Sequence, residues 1–180
     1  MSKIVRLFAA LLLVAPPVHA SAETCTCSMP SNIHVPDDLR HHMRLMLQRS
    51  ATFRQQCRRI DVPRLHVQIR PDVQLLDRPF RARSVIQRSE SGRLTAWVAI
   101  TPVGNPTQWL AHEIEHIIEQ LDGVKIPYLA LTRSGDAWRT GENMFETDRA
   151  LRVGLLVLDE VHNANRAVAH ATVERSTRGD

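Results

Sequence analysis

Aromatic side chains are scarce in this chain, at 4% of its 180 residues. So thin a supply argues against a surface that grips single-stranded nucleic acid by stacking successive bases. Long hydrophobic runs are also missing: none approaches the roughly 20 residues a membrane-spanning helix needs. No segment recurs at a fixed period, which excludes a solenoid or a propeller. Neither sign of charge dominates. Arginine and lysine are scattered among aspartate and glutamate, so they read as solvated surface and leave no nucleic-acid footprint. Cysteine is limited to Cys25, Cys27 and Cys57. The first two are too close for an easy bond with each other. One of them could bond Cys57 and staple the N-terminal segment to the first helix, leaving an odd thiol, free or paired between chains. The Cys-x-Cys pair has no second pair beside it to complete a metal site.

What is present is ordinary for a globular protein: 43% hydrophobic and 23% charged residues, in a length that suits one domain. The first segment stands apart. Lys3 and Arg6 precede an apolar run from Leu7 to Ala15, closed by Pro16-Pro17. Two small-residue patterns follow, Val18-His19-Ala20 and Ala20-Ser21-Ala22. This order reads as a secretory signal peptide over 1–22, the alternative being an uncleaved anchor. Its removal takes away two cations and brings the formal +4 nearer to neutrality. The expected location is extracytoplasmic, periplasmic or secreted, with no membrane span after cleavage. Thr24 before Cys25 does not suit a lipoprotein site. A folded unit is expected over 23–163 and a flexible tail over 164–180, where apolar periodicity fades.

Within that unit, apolar residues at helical spacing predict one helix from Pro36-Asp37-Asp38 to about Arg59, capped by Asp37 or Asp38. The adjacent His41 and His42 read as surface. Strict alternation over Leu65–Arg70 predicts a strand, Arg81–Arg88 a weaker one, and Arg93–Thr101 the strongest. Ser89-Glu90-Ser91-Gly92 marks a turn. Two or three antiparallel strands are therefore expected before the next helix. That helix spans about Pro106–Asp122, with Asn105 as cap, Pro106 at its first position and Gly123 after its end. A second long helix is expected over about Asn143–His162.

The helix at 106–122 carries His112-Glu113-Ile114-Glu115-His116, an H-E-x-x-H pattern. Histidines four apart share one helical face, so both imidazoles can reach one Zn2+. Glu113 points to the same side and can act as general base toward water at the metal. Leu110, Ile114, Ile117, Ile118 and Leu121 fall on a different arc, which separates the apolar face from the histidines.

With that motif following a strand, the chain resembles the zincin metallopeptidases over residues 64–162. The resemblance implies an α+β, zincin-like fold, with a small antiparallel sheet followed by the motif helix and a second long helix. It places Arg93–Thr101 as the edge strand lining a substrate cleft. Glu115 departs from the pattern, because zincins usually carry an uncharged residue there. The resemblance also implies a third ligand. A metzincin-like arrangement would put it at Asp122, but Glu119, a good helix former, stands where that family turns at glycine. The gluzincins take a glutamate from a later helix, which corresponds to Glu146. As a helical residue Glu146 would share a face with Ala150, Val153 and Val157, and a carboxylate facing inward needs a partner such as zinc. It could instead close a capping box with Asn143 or pair with Arg149. Glu142 is a further competitor. The aspartate that many gluzincins carry four residues after this glutamate is Ala150 here. Tyr128 could stabilise an oxyanion or simply pack, and His162 and His170 read as surface.

The expected function is an exported zinc-dependent hydrolase, a metallopeptidase acting on a peptide or protein substrate. The metal ligands are His112, His116 and Glu146, and the base is Glu113. The competing expectation is a secreted domain that binds a metal or a partner without catalysis.

Overall fold

A computed structural model of the chain describes residues 28–132 and 135–177, with side chains as far as residue 170. The expected signal peptide, Cys25 and Cys27 lie outside the described residues. Cys57 is buried.

The class is α+β. Strand β1 (Ile33–His34) is followed by helices α1 (Asp37–Arg49) and α2 (Ala51–Ile60), then strands β2 (Leu65–Pro71), β3 (Ala82–Arg88) and β4 (Leu94–Ile100). Helices α3 (Thr107–Leu121) and α4 (Ile126–Thr132), the hairpin β5 (Ala137–Gly141) and β6 (Met144–Thr147), and helix α5 (Asp148–Thr177) complete the chain.

The single helix expected over 37–59 is two helices, because Ser50 interrupts it. Ser50 N–H closes α1 on Met46 O, and its Oγ accepts from Phe53 N at 2.9 Å to open α2. The hydroxyl also donates to Glu160 on α5. A serine that offers the backbone such local bonds competes with helix continuation. Neither Asp37 nor Asp38 caps α1, which starts after Pro36 without a side-chain cap.

The four-stranded sheet has the order β1-β2-β4-β3. The turn at 89–92, with Gly92 at φ 78°, joins β3 and β4 as an antiparallel hairpin. The expectation of purely antiparallel strands does not hold, since β2 pairs with β4 in parallel. The reason is one of parity: the chain reverses direction into β3 and again into β4. With β3 on one side of β4, β2 meets the other side running the same way.

One face of this sheet is packed; the other is exposed along β2, whereas on β4 it holds half-buried Thr95 and Trp97 and buried Ala99. Leu65, Val67, Ile69, Ala96 and Val98 join Met43, Phe53, Leu110, Ile114 and Ile117 in one core. His66, Gln68 and Arg70, the alternate positions of β2, are exposed. The apolar arc of α3 therefore sits on the sheet, and the edge strand beside it is β3. Arg93–Thr101, expected at the edge, forms β4 inside the sheet, because β2 pairs with one side of it and the 89–92 hairpin folds β3 onto the other.

The C-terminal half differs most from expectation. Asn143 begins no helix; it is a turn residue at φ 53°, and Met144–Thr147 is a strand. Thr147 starts the helix instead, its Oγ1 accepting from Ala150 N at 3.1 Å. Helix α5 then continues well past the expected end near His162, to Thr177. Ala164, Ala167, Ala169 and Ala171 lie in the extension, and alanine favours helix where no core needs to be met.

Candidate metal centre

Local sequence sets the motif helix as expected. Asn105 Oδ1 accepts from Thr107 N at 3.0 Å, Pro106 holds an α conformation, and Gly123 at φ 75° ends the helix. His112 and His116 then stand one turn apart with ring centroids 4.8 Å from each other.

Glu146 meets both. Its Oε2 is 3.2 Å from His112 Nε2 and its Oε1 is 3.2 Å from His116 Nε2. One ligand atom from each of the three residues can be chosen so that all lie within 4.8 Å of one another. The residue is the expected one, but its placement is not. Glu146 lies on β6, so the helical face shared with Ala150, the Asn143 capping box and an Arg149 partnership all fall away. Its carboxylate is bound by Thr147 N at 2.8 Å and by the two imidazoles.

The rival ligands point elsewhere. Asp122 pairs with Arg59 and, at 3.0 Å, with Arg149. Glu142 is exposed in the hairpin turn. Tyr128 is 63% exposed on α4, outside the cleft beside the histidines. His41, His162 and His170 are exposed, as expected, and His42 is half-buried.

No protein-family model, curated protein or solved structure matches this chain. Its centre must be read from its own chemistry. Glu113 is buried beside the histidines, and burial raises its pKa; His112, His116 and a hydrogen bond with Ser84 on β3 pull the other way. Burial would also raise Glu146, but its bonds to His112 and His116 outweigh this and hold it at about 2. For His116, burial favours the neutral ring, yet Glu119 and Glu146 raise it to about 10.

Glu119 was visible in sequence only as a helix former. Its Oε2 lies 2.8 Å from His116 Nδ1, and its Oε1 accepts from Thr147 Oγ1 at 2.8 Å. The signal was there: a carboxylate three residues after a histidine shares its helical face. Gly154 was missed as well. A Cβ there would lie 2.9 Å from Gln108 O and 3.1 Å from His112 Cβ, so α5 can approach the motif helix only because this residue is glycine.

Glu115, the departure from the zincin pattern, is buried but paired. Gln56 Nε2 donates to it at 2.8 Å, and Arg149 Nε reaches its other oxygen at 2.7 Å. Removing one partner from a buried ion pair costs about 3–5 kcal/mol. The Arg149 side chain is 36% exposed, so water screens part of this. Arg149→Met should therefore destabilise the fold by about 2 kcal/mol in urea unfolding. Unchanged stability would show that Gln56 alone satisfies Glu115.

A cleft of about 570 Å3 opens over the centre. Edge strand β3 and the hairpin flank it, with Phe80, Ile86, Ile126, Met144 and Phe145 supplying apolar walls around Glu113 and the three converging side chains.

The residues fit a divalent metal of the zinc type. Two imidazole nitrogens and one carboxylate are a donor set zinc accepts. The two imidazoles meet different oxygens of Glu146, each at 3.2 Å, so either oxygen or both could serve an ion drawn between the three side chains. Charge adds to the fit. Three carboxylates, Glu113, Glu119 and Glu146, crowd two imidazoles in a largely buried site. His116 Nδ1 already faces one carboxylate and its Nε2 another, so a cation is needed between Nε2 and Glu146. A second proton on the ring or a metal ion can fill that role.

Proposed function

We propose that this protein is an exported zinc-dependent hydrolase that cleaves a peptide or amide bond, built on a zincin-like scaffold. The observation that carries the reading is the convergence of His112, His116 and Glu146 next to the buried carboxylate of Glu113, at the floor of an open cleft. A purely structural zinc site is closed by a fourth protein ligand. Among the described residues only three ligating side chains group here, and the cleft gives access to the remaining side.

His112 Nε2, His116 Nε2 and Glu146 would hold the zinc. When bound, zinc supplies Lewis acidity that polarises a carbonyl and makes water a better acid. Glu113 would take a proton from the attacking water on a carboxylate oxygen and deliver it to the leaving amine. Burial raises its pKa, which brings it closer to the range where it can both accept and return a proton. Phe80, Ile86, Met144 and Phe145 would seat apolar substrate side chains and keep bulk water away. On the zincin-like reading β3 would take the edge position beside α3 that Arg93–Thr101 was expected to hold, and the third ligand would come from a hairpin strand and not from a helix. The segment 1–22 supports export. No helix among the described residues is long and apolar enough to cross a membrane.

The purified protein should hold close to one zinc per chain, and His112→Ala/His116→Ala should abolish it. Glu146→Gln should bind zinc more weakly, because a neutral amide replaces an anionic ligand. Metal analysis of the three proteins checks this, and undiminished zinc in the double variant would reject the site. Uptake should also depend on pH with a definite sign. In the metal-free protein His116 stays protonated until about pH 10, so zinc must displace that proton at neutral pH. Affinity should rise about tenfold for each pH unit through neutrality. Calorimetry in buffers of different ionisation enthalpy should find about one proton released per zinc.

A further inference from the structure

His116 is gripped on both ring nitrogens by consecutive residues of another segment. Glu146 meets Nε2 directly at 3.2 Å. Thr147 reaches Nδ1 through Glu119, with 2.8 Å from Thr147 Oγ1 to Glu119 Oε1 and 2.8 Å from Glu119 Oε2 to the ring. Thr147 N also donates to Glu146 Oε1 at 2.8 Å, which closes a ring of contacts running His116, Glu119, Thr147, Glu146 and back to His116.

The Thr147 hydroxyl has two duties. Its oxygen accepts from Ala150 N and so caps α5, which leaves its one hydrogen to point at Glu119. The cap therefore sets the direction of the hydroxyl, and Glu119 is the acceptor waiting there. Both residues are 2% exposed. Among the described residues Glu119 has no arginine or lysine partner, in contrast to Glu115 with Arg149. A carboxylate buried this deeply is costly unless its bonds are specific.

The two histidines are also unequal. His112 Nδ1 is buried without a hydrogen-bond partner, so that ring is held by packing, with the Trp109 ring edge-on at 6.3 Å and Gly154 of α5 behind its Cβ. His116 alone has a polar hold on the nitrogen that faces away from the centre.

We propose that Glu119 is the positioning residue of the metal centre and that Thr147 locks it. Glu119 fixes the His116 tautomer with hydrogen on Nδ1 and the Nε2 lone pair toward the metal. Through Thr147 it also sets the register of β6 against α3, so that Glu146 arrives opposite both imidazoles. The hairpin and the motif helix are thus fastened by one carboxylate. An outer carboxylate on a ligating imidazole raises its basicity and holds its angle, and its loss weakens metal binding by roughly 10–100-fold. This inference rests on the reading of His112, His116 and Glu146 as metal ligands.

The test compares the wild type with Glu119→Gln, Thr147→Val and Thr147→Ser. Zinc affinity is measured by competition with a chromophoric chelator, the visible spectrum is recorded with Co2+ in place of zinc, and thermal unfolding is followed on the metal-free proteins. Glu119→Gln should lower zinc affinity at least tenfold and alter the Co2+ spectrum. Thr147→Val should do the same, and Thr147→Ser, which keeps the hydroxyl, should restore both. A merely structural Glu119 or Thr147 would lower the melting temperature and leave affinity and spectrum alone, and that result overturns the proposal. Should Thr147→Val not fold, the Glu119→Gln measurement and the Thr147→Ser rescue decide. A wild type that binds no zinc would refute the metal reading itself and this inference with it. A wild type that binds zinc, with Glu119→Gln binding equally well, refutes this inference alone.

Discussion

Glu113→Gln should keep its zinc, lose hydrolysis by a factor on the order of 10² or more, and in the metal-free form be more stable than the wild type. Each part has a separate cause. Zinc should stay because Glu113 is not one of the three converging side chains, and glutamine preserves its volume. Hydrolysis falls because an amide cannot accept the proton of the attacking water. Stability rises because the Glu113 pKa is raised in the folded protein, chiefly by burial. A carboxyl with a raised folded pKa destabilises the native state as pH climbs above its ordinary value, and glutamine has no charge to desolvate. The measurements are metal content, turnover of a peptide library and urea unfolding of the metal-free proteins at neutral pH. A variant that loses zinc would make Glu113 a ligand. One that keeps full activity would remove it from the chemistry.

Gly154→Ala should destabilise the fold, although alanine is the better helix former. In a helix interior the exchange alone would favour alanine by about 1 kcal/mol. Against it stands a Cβ placed 2.9 Å from a backbone oxygen of α3 and 3.1 Å from His112 Cβ. Backbone cannot swing aside as a side-chain tip can, and the sheet supports α3 from its other side. Overpacking of this kind costs about 1–3 kcal/mol, so the clash outweighs the propensity gain. Gly154→Ala should melt a few degrees lower and bind zinc more weakly, since α5 pushes on the turn that carries His112. Gly154→Leu should prevent native packing of α5 on α3. Thermal unfolding with chelator competition checks both. An alanine variant at least as stable as the wild type would show that α5 moves away without loss.

The centre was only partly legible before the fold was known. His112, Glu113 and His116 could be placed together because a helix repeats every 3.6 residues, so residues one and four apart in sequence have a calculable relation in space. The alternating runs at 65–70 and 93–101 were legible for the same reason, at a period of two. Such periodicity does not say which strand pairs with which, and the parallel pairing of β2 with β4 followed from where β3 was inserted.

Glu146 shows the same division. Its residue type suited a third ligand, but the helical face assigned to it does not exist. Thr147 caps α5 just after it, and the hairpin turn at Asn143 aims the strand. Glu119 and Glu115 look alike in sequence, two glutamates on one helix. Their roles separate only through partners far along the chain, Thr147 for one and Arg149 with Gln56 for the other.

The sequence by itself determined the motif helix, its start at Asn105 and end at Gly123, its apolar arc, and the pairing of two histidines with a carboxylate on one face. All of these are local, set by backbone geometry over a few turns. Tertiary structure alone decided that this face would be enclosed by α5 and a hairpin, that a strand would bring Glu146 to both imidazoles, and that Glu119 would hold His116. These depend on contacts between segments some 30 to 45 residues apart, where steric fit at Gly154 and the matching of buried charges choose among arrangements that local propensity leaves equal.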